Sequence, residues 1–156
     1  MPNSRYANTV IKLAESQDEK DNLDALLWRV LWKPLNLPRD ARAKFRIPGE
    51  EIELVAVNGR KIVGGLVAYR AGENEVEIRH LAVDSSFQRK SVGTRLLTRL
   101  FDLIKEDNPV RIRAYVRNTS YPFFIECGFK LATHDWIEQP DFKVHGITFK
   151  LAEKYL

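Results

Sequence analysis

The chain has 156 residues, 44% of them hydrophobic and 29% charged, with a net charge of +4. That balance describes one soluble globular domain spanning residues 1–156 and excludes a disordered chain. With no apolar run of spanning length and no apolar secretory core in MPNSRYANTV, no membrane partner is expected.

Thr9 to Ala14 reads as a first strand. Ser16-Gln17-Asp18-Glu19 matches a capping box, and Leu23, Leu26, Leu27, Val30 and Leu31 recur at helical spacing to about Lys33, where Pro34 stops the helix. The segment Leu35 to Pro48 reads as a loop with a short helix around Arg39 to Lys44. Between Arg29 and Arg46 stand six basic residues against one acid, Asp40. Such a cluster either borders a cleft for anionic ligands or is a solvated face. No helix-turn-helix, zinc-finger or ribonucleoprotein signature accompanies it, so no nucleic-acid partner is expected.

Glu51 to Val57 alternates as a strand should. Asn58-Gly59 predicts a type I′ hairpin turn, and Lys61 to Arg70 is the return strand. Gly64-Gly65 inside that strand predicts a bulge or a close backbone approach. Val76 to Val83 completes an antiparallel meander. A polar turn, Asp84-Ser85-Ser86, leads into a basic loop, Gln88-Arg89-Lys90-Ser91-Val92-Gly93, and a helix opens at about Thr94. Strand, loop and helix N-terminus together form an anion site, because unpaired backbone N–H groups and the positive helix end converge there. Arg89 and Lys90 add charge, and the ligand expected is a phosphate or pyrophosphate.

The helix carries Leu96, Leu97, Leu100, Phe101, Leu103 and Ile104 on one broad face and ends at Asn108-Pro109. Val110 to Val116 is a strand, joined to the fourth by a parallel crossover. Asn118-Thr119-Ser120 can cap a short helix to about Glu126, with Gly128 as its C′ residue. Phe129 to Thr133 and Gly146 to Leu151 read as final strands, separated by an acidic loop containing a proline.

The loop Gln88 to Gly93, the preceding Leu81-Ala82-Val83-Asp84, and the segment from Asn118 to Phe129 resemble the GCN5-related N-acetyltransferases. The resemblance covers roughly Thr9 to Lys150. The family's loop reads Gln/Arg-x-x-Gly-x-Gly/Ala, and here Ser91 replaces its first glycine. Its downstream motif, Asn-x-x-Ala-x-x-Phe-Tyr-x-x-x-Gly-Phe, is one residue shorter here, and Phe124 occupies the tyrosine position.

The resemblance implies an α/β (α+β) fold: a mixed, mostly antiparallel central sheet flanked by helices on both faces. It implies transfer of acetyl from acetyl-CoA, a co-substrate, to a primary amine on a small molecule or peptide, directly and within a ternary complex. The alternative is a non-catalytic acyl-CoA binding module or sensor. Implied cofactor-binding residues are Leu81, Ala82, Val83, Gln88, Arg89, Lys90, Ser91, Val92, Gly93, Thr94, Asn118 and Phe124. Glu77 matches the family's general base, against the plainer reading of a surface glutamate. On a period of two, Glu77 shares a face with Arg79, Leu81 and Val83. Tyr121 is the nearest phenol to serve as acid, against a role as an aromatic wall. The family often dimerises, which makes a homodimer one assembly to test.

The lone Cys127 cannot form an internal disulfide, and a reducing cytoplasm is the simplest compartment. It reads as a small buried hydrophobe. His80, His134 and His145 show no metal-ligand spacing, so no metal is expected. Trp28 and Trp32 read as packing residues that could line the acceptor mouth.

Overall fold

The computed structural model describes residues 8–89, 91–107 and 110–156, the side chain of Asp107 excepted. The expected cofactor-loop residue Lys90 and the expected helix stop at Asn108-Pro109 lie outside the described residues. Seven strands form one sheet in the order β1-β2-β3-β4-β5-β7-β6: β1 (Thr9–Leu13), β2 (Glu50–Asn58), β3 (Lys61–Gly72), β4 (Glu75–Val83), β5 (Arg111–Arg117), β6 (Lys130–Leu131) and β7 (Phe149–Tyr155). Only β4 and β5 run parallel. Helices α1 (Gln17–Leu27), α2 (Val92–Ile104), α3 (Tyr121–Glu126) and α4 (Pro140–Lys143) complete the fold. This is the mixed, mostly antiparallel sheet flanked by helices that the sequence implied. Among the described residues no helix is long and apolar enough to cross a membrane.

Helix α2 packs on one sheet face. Its Leu96, Leu97, Leu100 and Ile104 are buried against Leu54, Leu66, Val76, Ile78 and Ile112. Helix α1 covers the other face, setting Leu23, Leu26 and Leu27 against Val55, Val67, Tyr69 and Ala82. Each such leucine contributes roughly 1.5–3 kcal/mol relative to exposure. The paired glycines of β3 permit both approaches. A Cβ on Gly64 would lie 2.9 Å from Val92 Cγ1 of α2, and one on Gly65 would collide with Leu23 of α1.

Four local readings change. The hairpin pairs Asn58 with Lys61, so its central residues are Gly59 and Arg60, not Asn58 and Gly59. Only Gly59 has positive φ, which suits a type II′ turn and not a type I′ turn. The capping box of α1 is present, but the α-helix ends at Leu27 and continues as a π-helical turn, Trp28–Trp32. Lys33 N–H donates five residues back, to Trp28 O, and Pro34, which has no N–H, cannot extend the ladder. The short helix after it is a 3₁₀ segment, Ala41–Phe45. The acidic loop between the last strands holds α4, too short to leave a helical period in the sequence.

Candidate active site

The ladder between β4 and β5 stops early. Glu75 to Ile78 pair with Arg111 to Ala114, and beyond them the two strands separate. β4 stays paired to β3 as far as Val83, and β5 to β7 as far as Arg117. The separation therefore opens a wedge between Arg79–Val83 and Tyr115–Arg117, whose facing backbone edges are not paired with each other. An extended ligand can enter such a wedge as a strand would.

A β-bulge at Arg79 lies where the wedge begins: Val67 pairs with His80, but Ala68 pairs with Ile78. The extra residue reverses the alternation of side chains. Val76 and Ile78 face α2, and so do Leu81 and Val83 after the bulge. Ala82 faces the α1 side, as does His80, opposite Val67. Glu77, opposite Tyr69, also faces the α1 side. The expectation that Glu77 shares a face with Leu81 and Val83 is thus corrected, because an unbroken period of two does not hold across Arg79.

On the α2 side, β4 runs into a tightly built turn. Buried Asp84 accepts from Ser86 N at 3.0 Å and Ser86 Oγ at 2.8 Å, and from Arg29 Nη1 at 3.0 Å. Burial alone would raise the Asp84 pKa. The Ser86 bonds, the Arg29 guanidinium and the Lys61 charge outweigh it and hold the carboxyl well below its usual range. Gln88 Nε2 donates to Val83 O at 3.1 Å. Arg89 and Ser91 both have φ of 62°, a left-handed conformation in which a non-glycine residue costs about 1 kcal/mol or more. Ser91 is the N-cap of α2, and its side chain makes no capping hydrogen bond. The leading N–H groups of Val92, Gly93 and Thr94 are the ones a helix leaves unpaired, and they lie at its positive end. Gly93 sits tightly here: a Cβ would be 3.1 Å from Phe123 Cζ and 3.8 Å from Val83 Cγ2.

On the α1 side, charged and aromatic groups surround the wedge. Glu77 is 3% exposed. Its Oε2 accepts from Arg79 Nη1 at 2.8 Å and its Oε1 from Arg113 Nε at 2.8 Å. The bulged Arg79 also donates through Nε to Phe45 O at 3.0 Å, fixing the 3₁₀ segment to the strand. His80 meets Trp32 edge-on at 4.9 Å and Phe45 at 6.1 Å. Burial, reinforced by the charges of Arg79, Arg42 and Arg117, lowers its pKa to about 3, so it is neutral near pH 7. Phe45 lies 6.0 Å from Phe142, over which Arg117 stands at 5.4 Å.

Part of the basic segment Arg29–Arg46 is neutralised by ion pairs. Arg42 is buried and binds Asp24 at 2.6 Å, Glu51 at 3.0 Å and Glu53 at 2.6 Å. Arg29 holds Asp84, and Arg39 stands over Trp28 at 5.8 Å. Ion pairs thus occupy Arg29 and Arg42, which a count of charges cannot foresee. Trp32 is buried packing; half-buried Trp28 donates to Leu37 O at 3.1 Å.

Of the remaining residues singled out, Asn118 does not cap α3. It latches β5 to the approach of β7, donating to Gly146 O at 3.0 Å and accepting from Thr148 N at 3.1 Å. Phe124 is buried between Phe123 and Phe129, both at 5.4 Å. Tyr121 packs edge-on to Trp136 at 5.5 Å, as an aromatic wall would. Thr94 is exposed at the start of α2, on a groove of about 510 Å³ between α2 and α3 that Phe123 and Cys127 also line. Burial pushes the Cys127 thiol up, which suits packing better than nucleophilic attack. Among the described residues no cluster of His, Cys, Asp or Glu could hold a metal ion. Sequence reasoning gave no role to Arg117; its only signal was a place in the alternation Arg111, Arg113, Tyr115, Arg117.

Three solved structures illustrate the likeness. An aminoglycoside 6'-N-acetyltransferase complexed with coenzyme A matches with a TM-score of 0.73 at 18% identity, over 94% of this chain and 96% of that one. Escherichia coli ElaA matches with 0.77 at 14% identity, over 94% and 99%. Tetrahymena GCN5 matches with 0.69 at 19% identity, over 94% and 95%. These share the fold. The family model for the acetyltransferase (GNAT) family matches residues 13–129, and the chain belongs to that family.

Proposed function

We propose that this protein transfers the acetyl group of acetyl-CoA to a primary amine by direct attack within a ternary complex. The observation that carries the reading is the wedge between β4 and β5, which opens beside the uncapped N-terminus of α2. The backbone of Gln88, Arg89, Ser91, Val92, Gly93 and Thr94 would hold the pyrophosphate, with Lys90 adding charge. That turn fits such a group: its helix end carries no side-chain cap, and Gly93 is packed so closely that little but backbone is presented. The strand edge at Leu81, Ala82 and Val83 would align the pantetheine arm. Bound acetyl-CoA supplies an activated thioester. The residues on the α1 side would act on the amine. Glu77 would accept the ammonium proton, through water, since a protonated amine has no lone pair for attack. Tyr121 is the phenol proposed to return a proton to the leaving thiolate.

A non-catalytic acyl-CoA binder is the second reading. It is favoured by buried Phe124, which carries no phenol where the family often places one, and by Ser91 in a conformation that suits glycine. Following free-thiol release from acetyl-CoA with a panel of primary amines tests the two. Saturable, amine-dependent release supports transfer. Tight CoA binding without release for any amine overturns it in favour of the binder.

A further inference from the structure

Strand β5 points four side chains at the α1 face: Arg111, Arg113, Tyr115 and Arg117. Arg111 is paired with Glu75 and Glu153, and Arg113 with Glu75 and Glu77. Arg117 has no such partner. Its neighbour on β7 is Phe149, and on its other side β4 has already parted from β5. Among the described residues no carboxylate lies within 4.0 Å of it. One donor is used: Nη2 to Leu31 O, at 3.2 Å. The guanidinium rests over the Phe142 ring at 5.4 Å. Burial pushes its pKa below the ordinary arginine value, with no acid to restore it.

A partly buried cation with one carbonyl partner is costly, and an anion repays that cost with paired, charge-assisted bonds. The position is also selective. Arg117 faces the same side as His80 and Glu77 and joins His80 through the aromatic chain Phe142–Phe45–His80. That is the side of the wedge from which an amine would approach. Around it stand Arg79, already satisfied by Glu77, and neutral His80, so an arriving carboxylate meets no uncompensated acid.

We infer that Arg117 is the acceptor-recognition residue and that the acceptor is an amine bearing a carboxylate, gripped by the guanidinium fork. This rests on the acyl-transfer reading and names its substrate class. The planar fork matches a carboxylate in a way that a lysine ammonium does not.

The test pairs each of several amino carboxylates (glycine, β-alanine, γ-aminobutanoate and phenylalanine) with its carboxamide. Wild-type kcat/KM should favour at least one carboxylate over its amide by about tenfold or more, as expected for charge-assisted bonds. Arg117→Gln should bring that ratio to about one by raising KM for the carboxylate. Arg117→Lys should restore it only in part, and CoA affinity should hold within about twofold. Equal use of acid and amide by the wild type, or an equal loss for both in Arg117→Gln, overturns the inference. A second readout does not depend on turnover. The Arg117 Nε–H resonance of CoA-loaded wild type should move saturably on titration with the amino carboxylates but not the amides. A motionless resonance overturns the inference even if amines are acetylated. A moving one in a protein that acetylates nothing supports the site and removes only the catalytic reading.

Discussion

Replacing Gly93 by Asp places a carboxylate on the second residue of α2, among the N–H groups proposed to bind pyrophosphate. Two effects must be separated. The new Cβ would lie 3.1 Å from Phe123 Cζ, so the ring must shift by a few tenths of an ångström in any substitution. Gly93→Ala carries that steric part alone, about 1 kcal/mol or less, and partly offset by better helix propensity. The charge is the larger part. At about 5 Å and an effective dielectric constant of about 20, two unit charges repel by about 3 kcal/mol. That is about a hundredfold in Kd. The same carboxylate favours the first turn of a helix by roughly 0.3–1 kcal/mol, so the variant should fold. Calorimetry with CoA should therefore give Gly93→Asp a Kd about a hundredfold above Gly93→Ala, with the gap narrowing as salt screens it. Melting temperatures should stay close. If Asp and Ala variants bind CoA alike, no anion lies at this helix end and the reasoning fails.

Glu77→Gln should lower kcat/KM at neutral pH by about a hundredfold or more and recover in part at high pH, with CoA affinity little changed. A flat loss across pH, tracking a lower melting temperature, would show only a broken Arg79–Glu77–Arg113 bridge. Arg42→Gln leaves Asp24, Glu51 and Glu53 without their shared cation and should cost roughly 3–5 kcal/mol in denaturant unfolding; a loss below 1 kcal/mol would deny the network its role. For His80 the folded pKa, about 3, lies below the ordinary 6.5, so the unfolded chain takes up the proton first. Its contribution is fully present above pH 6.5 and is lost as pH falls from there towards 3. Wild type should lose on the order of 3 kcal/mol between pH 6.5 and 4 that His80→Gln does not lose, as urea titrations at each pH would read. Parallel curves for the two proteins would contradict a buried neutral imidazole.

Much of the fold was legible because its signals are local. The apolar stripe of α2, the box Ser16-Gln17-Asp18-Glu19 and the paired glycines of β3 each state their own geometry. The junction proposed to bind pyrophosphate was legible for the same reason, since a strand, a basic turn and a helix start follow one another in sequence. What escaped depends on neighbours distant in the chain. The bulge at Arg79 marks β4 only as a change of phase, from Val76 and Ile78 to Leu81 and Val83 across Arg79-His80, and the register against β3 is what identifies it. The fate of Arg42 depends on Asp24, Glu51 and Glu53, brought in by three different elements. Arg117 and Arg113 look alike in the sequence, and only the parting of β4 from β5 leaves one paired and the other not.

The bulge, the wedge and the arginines act together. Without the extra residue at Arg79, Glu77 and Leu81 would share one face of the strand. With it, Arg79 and Arg113 hold the largely buried Glu77 on the face that also carries Arg117 and the neutral His80. Burial and the neighbouring guanidiniums, which keep His80 unprotonated, would also lower the pKa of an alkylammonium held beside it and ease proton release before the proposed attack. In the proposed reaction Glu77 would then receive the proton, held in place by its bridge to two guanidiniums. The same guanidiniums would attract a carboxylate. An amine that brings its own negative charge would relieve the desolvation of Arg117 on binding, which a simple cationic amine could not do. Selectivity for the acceptor and activation of its nitrogen would thus come from one arrangement of charge, set by one extra residue in β4.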